Sequence, residues 1–333
     1  MMRLPPFTYL APVSVADAVK LMADHGPGAM LVAGGTDLYP NMKRRQFEPT
    51  VLVGLRGIRD LAGVREPGAG VLAVGAGTTL TAVARHPEVR ARYAALATAA
   101  GAVSTPQLRN MGTLGGNVCV DTRCNYYNQS YQWRKAVNFC MKKDGEICLV
   151  APGSPRCWAV SSSDTAPALW SLGASVRLAG LAGERTIPIS ALYQDDGIQY
   201  LTKQPGEIVT EIVLPPAAGA RSVYLKLRRR GSFDFPVLGV AATLHMDGDI
   251  VRQARIVLGA VASLPRESVE AGRLMVGERL TPELIDRAAD AAYRPAKPLD
   301  NTDLTHPYRK KMVRVYVARA LRRLGGLPDE GET

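Results

Sequence analysis

The chain has 333 residues, of which 47% are hydrophobic and 21% charged, and its 41 Lys and Arg exceed its 30 Asp and Glu. This composition excludes an intrinsically disordered chain, and at about 100–200 residues per domain the length predicts two or three domains. The sequence has no run of about 18 apolar residues, and its first ten residues lack the pattern of a secretion signal, so we expect a cytoplasmic protein without a membrane span.

The first sixty residues contain the signals of a small βαβ-like unit. Ser14 is a helix-capping residue with an acidic residue three positions later, and Gly26 ends the same helix. The apolar runs 29–33 and 51–55 are typical of strands. We therefore predict a first subdomain over residues 1–60.

A second subdomain is predicted over residues 61–220, where glycine turns separate strand-like runs. An Ala-rich stretch at about residues 80–100 predicts one helix, and the Pro- and Ala-rich segment 215–220 is typical of a linker. The predicted strands are residues 71–74, 175–178, 186–189 and 207–214.

The last third of the chain predicts a separate α+β domain over residues 221–330. Thr281 as a cap, with Pro282 at the first helical position, marks the start of one helix. The predicted strands are residues 237–245 and 251–261, and the predicted helices are residues 282–293 and 312–324.

Two loops, residues 33–37 and 112–117, each contain a pair of glycines. Glycine lets several backbone N–H groups approach a phosphate without an intervening side chain, and two such loops together suit one pyrophosphate. Neither loop has the Walker sequence or the pattern Gly-x-Gly-x-x-Gly. Taken alone, each loop is more typical of an ordinary turn than of a phosphate site.

All five cysteines lie between residues 119 and 157, in a polar segment of the chain. A disulfide framework is not expected in a long chain without a secretion signal, so the clustering predicts metal ligation. The spacing contains no Cys-x-x-Cys pair of the kind common in structural zinc sites, and it also differs from common ferredoxin patterns. The cysteine spacing therefore does not distinguish a zinc site from an iron-sulfur cluster.

Four segments together resemble the FAD-binding middle subunit of the molybdenum hydroxylases, a family that includes xanthine dehydrogenase and aerobic carbon monoxide dehydrogenase. The segments are residues 31–38, 74–80, 109–117 and 163–169. The resemblance implies an α+β chain with a PCMH-type two-subdomain FAD-binding fold, followed by a C-terminal domain like that of the carbon monoxide dehydrogenase flavoprotein. It also implies that the glycine loops hold the FAD pyrophosphate, that Asp164 contacts the adenosine part and that Lys226 lies by the cofactor. The implied cofactor-binding residues are Met30, Leu31, Val32, Ala33, Gly34, Gly35, Thr36, Asp37, Val103, Thr113, Gly115, Gly116, Asn117, Asp164 and Lys226.

Residues 119–157 depart from the general family pattern, because most members run directly from the Gly-Gly-Asn loop to the Ser-Asp element. This insertion resembles that of the 4-hydroxybenzoyl-CoA reductases, a branch of the family whose extra loop holds a [4Fe-4S] cluster. By that resemblance the ligands are Cys124, Cys140, Cys148 and Cys157, while Cys119 belongs to the flavin loop.

The resemblance implies an electron-transfer subunit with no catalytic residue acting on the organic substrate. Electrons from reduced ferredoxin are expected to enter at the [4Fe-4S] cluster and pass through FAD. They then reach the [2Fe-2S] clusters of a small partner subunit and the molybdenum site of a large one, in a dimer of heterotrimers. At that molybdenum site the phenolic hydroxyl of 4-hydroxybenzoyl-CoA is removed. Basic residues outnumber acidic ones in the insertion, which favours docking of an acidic ferredoxin there.

Two alternatives remain beside this interpretation: an FAD subunit of an oxidative molybdenum hydroxylase, and a zinc-stabilised basic binding module without redox activity. Nucleic-acid binding is not expected, because aromatic residues form only 6% of the chain and do not alternate with the basic runs. Tyr193 is expected to be a surface residue at a turn rather than a shield for the flavin. The basic run 228–230 is equally compatible with a solvent-exposed segment and with a contact to the cofactor or a partner.

Overall fold

The computed structural model describes residues 3–328 and has the mixed helix and strand architecture that the sequence predicts. None of the helices in this range is long and apolar enough to cross a membrane. Residues 1 and 2 of the predicted first subdomain, and residues 329 and 330 of the predicted C-terminal domain, lie outside the described residues.

The N-terminal part is a three-stranded parallel sheet with the strand order β1-β3-β2. As predicted, Ser14 begins the first helix, because its hydroxyl accepts a hydrogen bond from the Asp17 N–H at 3.0 Å. Residues 33–37 leave the carboxyl end of β2, which is where ligands bind in open sheets of parallel strands. The elements are β1 (Thr8–Leu10), α1 (Val15–His25), β2 (Ala29–Val32), α2 (Leu38–Lys43) and β3 (Val51–Gly54).

The second part is a five-stranded antiparallel sheet with the order β4-β5-β8-β6-β7, and the helices that follow β5 pack against it. Its strands are β4 (Val64–Gly68), β5 (Val71–Gly75), β6 (Ser175–Gly180), β7 (Gly183–Pro188) and β8 (Ile208–Leu214). Its helices are α3 (Leu80–Arg85), α4 (Pro87–Arg92), α5 (Ala94–Ala102), α6 (Pro106–Arg109), α7 (Leu114–Val118), α8 (Tyr131–Ala136) and α9 (Thr165–Ser171).

The prediction of one helix over residues 80–100 is wrong, because the structure has α3, α4 and α5 there. His86 is extended, with φ −63° and ψ 127°, as a residue before proline prefers to be. Tyr93 separates the next two helices; its ring is buried and its hydroxyl donates to the Pro215 carbonyl at 2.6 Å. One proline and one anchored ring therefore override the helix propensity of the alanines.

The C-terminal part is a four-stranded antiparallel sheet with the order β12-β11-β10-β9, covered by two long helices. Thr281 caps the first of these helices as predicted, since its hydroxyl accepts from the Leu284 N–H at 3.3 Å. The elements are β9 (Arg221–Leu227), β10 (Leu238–Asp247), β11 (Ile250–Gly259), β12 (Arg266–Glu267), α10 (Val269–Met275), α11 (Pro282–Tyr293) and α12 (His306–Gly325).

The cysteine-rich insertion has little regular structure besides α8, and polar contacts attach it to the N-terminal part. Arg134 is buried, and its guanidinium donates to the carbonyls of Arg44 and Arg45 at 3.1 and 3.0 Å. The Gln46 side chain donates to the Tyr127 carbonyl at 2.5 Å. The insertion therefore lies directly beside the basic run 43–45.

Candidate cofactor site

A cavity of about 1170 Å³ lies between the N-terminal sheet and the second part of the chain. Small-molecule sites usually measure about 300–1,000 Å³, so this cavity has room for a ligand as large as a dinucleotide. Most of its wall comes from residues 29–38, 108–121, 180–185 and 200–209.

The two glycine loops meet at the cavity wall, and their glycines are needed for that approach. A Cβ on Gly34 would lie 2.0 Å from the Met111 carbonyl oxygen. Gly35 has φ +69°, and a Cβ there would lie 2.3 Å from the ring of Tyr39. Side chains at these positions would therefore push the loops apart or fill the space beside them.

The backbone amides of the two loops are used differently. In the second loop the N–H groups of Leu114 and Gly115 donate to backbone carbonyls at 2.9 and 2.8 Å, and that of Gly116 donates to Thr113 Oγ1 at 3.1 Å. In the part of the chain that the structure describes, the N–H groups of residues 34–36 donate to no protein acceptor. The first loop thus offers donors to a phosphate, while the second is held rigid by its own hydrogen bonds.

All predicted cofactor-binding residues except Asp164 and Lys226 line this cavity. Those two residues instead form a buried ion pair of 2.9 Å, in which Lys226 Nζ also donates to the Ala102 carbonyl at 3.0 Å. Burial raises the pKa of the Asp164 carboxyl and lowers that of the Lys226 ammonium, and each shift is opposed by the charge of the partner. Ala102 precedes Val103, a residue of the cavity wall, so the pair supports that wall from behind.

Tyr193 is buried, and its hydroxyl donates to the Val118 carbonyl at 2.9 Å. The expectation of a surface tyrosine is therefore wrong, and the residue fixes the end of α7 instead. Of the basic run 228–230, Arg228 donates to the Ala102 carbonyl at 3.1 Å, while Arg229 and Arg230 are exposed and pair with aspartates.

Phe235 is a residue of the cavity wall that sequence reasoning missed. It is 45% exposed, and the guanidinium of Arg123 lies 4.5 Å from its ring centroid. Arg123 also forms an ion pair with Asp37 of the first glycine loop. The only sequence signal was a pair of phenylalanines after the basic run, which is too weak to indicate a site.

A second, smaller cavity lies in the insertion and is lined by the four predicted ligands Cys124, Cys140, Cys148 and Cys157. All four thiols are buried, and burial raises the pKa of Cys124 to about 12 and that of Cys157 to about 11. Within residues 3–328 no group of three or more His, Cys, Asp or Glu side chains is placed so that it could hold a metal ion. Cys119 lies apart from the four, on the wall of the larger cavity.

One ion pair separates the two cavities. Asp121 lines the large cavity and Lys142 lines the thiol cavity, with 2.8 Å between Lys142 Nζ and Asp121 Oδ1. The short segment from Asp121 to Cys124 therefore runs from one cavity to the other.

Two family models together match most of the chain. The FAD binding domain in molybdopterin dehydrogenase matches residues 5–217, and the carbon monoxide dehydrogenase flavoprotein C-terminal domain matches residues 222–324. The chain belongs to the FAD-binding medium subunits of the molybdenum hydroxylase family.

Curated relatives and solved structures agree with this membership. The carbon monoxide dehydrogenase medium chain of Afipia carboxidovorans is 32% identical over 318 residues, covering 95% of this chain and 96% of its own. The aldehyde oxidoreductase FAD-binding subunit PaoB of Escherichia coli is 35% identical over 268 residues, covering 78% of this chain and 82% of its own. Carbon monoxide dehydrogenase from Hydrogenophaga pseudoflava matches the fold with a TM-score of 0.80 at 30% identity, covering 96% of this chain and 98% of that one.

As a medium subunit of this family, the chain is part of an oxidoreductase and its cofactor is FAD. The large cavity fits that cofactor, because the bare backbone at Gly34 and Gly35 leaves a cradle that a Cβ would fill. The relatives are named as medium chains or FAD-binding subunits, that is, as single components of larger enzymes.

Proposed function

We propose that this chain holds FAD and a [4Fe-4S] cluster and passes electrons between them as the middle subunit of a 4-hydroxybenzoyl-CoA reductase. Reduced ferredoxin would supply the electrons, which leave toward the [2Fe-2S] clusters of a small subunit and the molybdenum site of a large one. For each substrate molecule, two electrons and two protons replace the phenolic hydroxyl by hydrogen and release water. The observation that carries the proposal is that four buried thiols line one cavity, a single ion pair away from the FAD cavity.

The chemistry of the residues around the thiol cavity supports such a cluster. Thiols must lose their protons to bind iron, and the ammonium of Lys142 in the same wall offsets part of the resulting negative charge. Each thiolate of a [4Fe-4S] cluster binds its own iron, so four sulfurs surround the cluster and need not meet at one point. When bound, the cluster supplies one-electron transfer and FAD supplies the exchange of electrons with the rest of the enzyme.

The basic surface for an acidic ferredoxin differs from the one that the sequence suggested. Arg123, Arg134 and Lys142 are buried, and their charges serve contacts inside the protein. Lys43 and Lys135 are exposed, and the contacts of Arg134 bring the basic run 43–45 beside the insertion. We propose that ferredoxin docks on this combined surface, which also exposes the ring of Trp133.

We also propose that the subunits assemble as a dimer of heterotrimers in the cytoplasm. The five cysteines are free thiols, which fits a reducing compartment.

A second candidate is an FAD subunit of an oxidative molybdenum hydroxylase, with electrons leaving through this chain. It is favoured by the names of the relatives, which are carbon monoxide dehydrogenase and aldehyde oxidoreductase subunits. The reductase is preferred because the oxidative candidate leaves the four buried thiols without a role. Because the chain belongs to a family of FAD-binding subunits, the zinc alternative now concerns only which metal the insertion binds.

The test is a metal and flavin analysis of the anaerobically purified complex, with assays for iron, acid-labile sulfide, zinc and FAD. We expect about four irons and four sulfides per chain, as one [4Fe-4S] cluster requires, together with one FAD. Zinc in place of iron would refute the cluster. Iron with activity only in the oxidative direction would favour the second candidate. FAD without iron, even after anaerobic reconstitution, would do the same.

A further inference from the structure

The ion pair between the two cavities is almost completely buried. The side chain of Lys142 is 5% exposed and that of Asp121 is 7% exposed. Besides Asp121, the ammonium donates to Thr122 Oγ1 at 2.8 Å and to the Gly197 carbonyl at 2.6 Å, so all three of its protons have acceptors. Its position is therefore fixed by three hydrogen bonds.

Aromatic rings complete this enclosure. The ring centroid of Tyr127 lies 4.8 Å from Lys142 Nζ, and that of Tyr200 lies 5.7 Å away. Tyr200 is itself held in place, because its hydroxyl donates to the Cys119 carbonyl at 3.0 Å. Charges enclosed in this way are screened much less than charges on a surface, so their field reaches both cavities.

The pair has a defined direction between the two sites. The positive end faces the thiol cavity, whose wall includes Lys142, and the negative end faces the FAD cavity, whose wall includes Asp121. An electron that moves from the cluster to the flavin carries negative charge away from the ammonium and toward the carboxylate. The pair therefore lowers the driving force for transfer from the cluster to the flavin, which is the direction of the proposed function, and raises that of the reverse transfer by the same amount.

We propose that the Lys142–Asp121 pair sets the difference between the reduction potentials of the two redox centres. The ammonium stabilises added negative charge in the thiol cavity and so raises the potential there. The carboxylate destabilises added negative charge on the flavin and so lowers its potential. This inference rests on the proposed function, because it requires a cluster at the four thiols, and both residues act as positioning and electrostatic residues rather than catalytic ones.

The experiment is a redox titration of the anaerobic holoenzyme, with the cluster followed by electron paramagnetic resonance and the flavin by visible absorbance. Lys142→Met is expected to shift the cluster potential to more negative values, and Asp121→Asn is expected to shift the flavin potential to more positive values. The control is Lys143→Met, which removes the same charge from the next residue. The Lys143 side chain is 34% exposed, so we expect a smaller shift there.

A single substitution leaves one buried charge without its partner and can unfold the insertion. The double variant Lys142→Met/Asp121→Asn avoids this, and it should shift both potentials in the same directions by smaller amounts. The inference would be overturned if the potentials of these variants, with FAD bound, differ from wild type by no more than those of the Lys143→Met control. If a variant loses its iron, its flavin potential alone is compared. Wild-type enzyme without iron would instead refute the proposed function, so the two failures are distinguishable.

Discussion

Asp164 and Lys226 form an ion pair of 2.9 Å that links the residue before α9, in the FAD-binding part, to β9 of the C-terminal part. The side chains are 3% and 5% exposed, and Tyr224 donates its hydroxyl to the second carboxylate oxygen at 2.7 Å. Because neither charge reaches water, each depends on the other for compensation. The pair thus connects the packing of the two domains to the cavity wall at Val103.

We expect Lys226→Met to lower the free energy of unfolding by about 3–5 kcal/mol, because it leaves the Asp164 carboxylate buried and unpaired. The measurement is urea unfolding of the FAD-loaded protein. The control is Arg229→Met, which breaks an exposed pair with Asp303 and should cost about 0–1 kcal/mol. Equal losses in the two variants would contradict the prediction, and Lys226→Met/Asp164→Asn should recover part of the loss.

Local signals predicted the elements that frame the site. The helix caps at Ser14 and Thr281 depend on side-chain chemistry within a few residues, and so do the neighbouring strands. The structure has these elements where the sequence predicted them. The break of the Ala-rich stretch at Tyr93 depends on a carbonyl at Pro215, more than a hundred residues away. Such a contact leaves no local trace, so propensity alone gives one helix there.

The glycine loop at Gly34 gives a prediction about the cofactor. Gly34→Ala adds a methyl group 2.0 Å from the Met111 carbonyl oxygen, so the two loops must separate. Overpacking of this kind costs about 1–3 kcal/mol, and we expect FAD affinity to fall about tenfold or more. Flavin content after gel filtration measures the effect. Gly231→Ala is the control, since a Cβ there meets no atom within 4 Å, and FAD loss from that variant as well would contradict the explanation.

An ion pair at the wall of the large cavity gives a prediction about the pH dependence of stability. Arg185 donates two hydrogen bonds to Glu207, at 2.6 and 2.8 Å, and these lower the pKa of the Glu207 carboxyl. A lowered pKa in the folded state stabilises the protein above the unfolded pKa of about 4.3, and this stabilisation is lost as pH falls through the folded value. Arg185→Met should therefore lower the melting temperature at pH 7 and have less effect at pH 3.

The comparison for this prediction is Arg252→Met, which breaks a pair with Asp247 that is exposed on both sides. Its effect on the melting temperature should be smaller at pH 7. A loss in Arg185→Met that stays the same from pH 7 to pH 3 would show that the guanidinium stabilises the protein by packing rather than by charge.

The position of the cysteines in the thiol cavity gives a prediction about which cysteine substitutions lower the iron content. Cys148→Ser should lower the iron content, because serine does not replace a thiolate in an iron-sulfur site. Cys119→Ser is the matched control, since Cys119 lies on the wall of the large cavity, and this variant should keep its iron. Iron and sulfide assays of the two variants, purified without oxygen, provide the measurement. An equal iron content in the two variants would show that Cys148 is not a ligand.

The insertion also marks the limit of sequence reasoning about the surface. The excess of Lys and Arg between residues 121 and 156 suggested a basic face, yet Arg134 is 1% exposed and binds backbone carbonyls of the basic run 43–45. Counting charges along the chain does not reveal which of them fold inward. The same contact brings Lys43 beside the insertion, which no spacing between residues 43 and 134 indicated.

Lys43 and Lys135 provide the last prediction, which concerns the electron donor. Both are exposed, and the double variant Lys43→Glu/Lys135→Glu replaces two positive charges by negative ones on the proposed docking surface. We expect the rate of reduction by ferredoxin to fall about tenfold at low salt, and the difference from wild type to shrink at high salt, since surface charges are screened within about 10 Å at 0.1 M. Stopped-flow reduction of the holoenzyme at several ionic strengths measures both effects. Lys20→Glu, at an exposed position of α1, changes the charge elsewhere and should have little effect. A wild-type rate that does not slow with salt, or an equal loss in Lys20→Glu, would exclude docking at this surface.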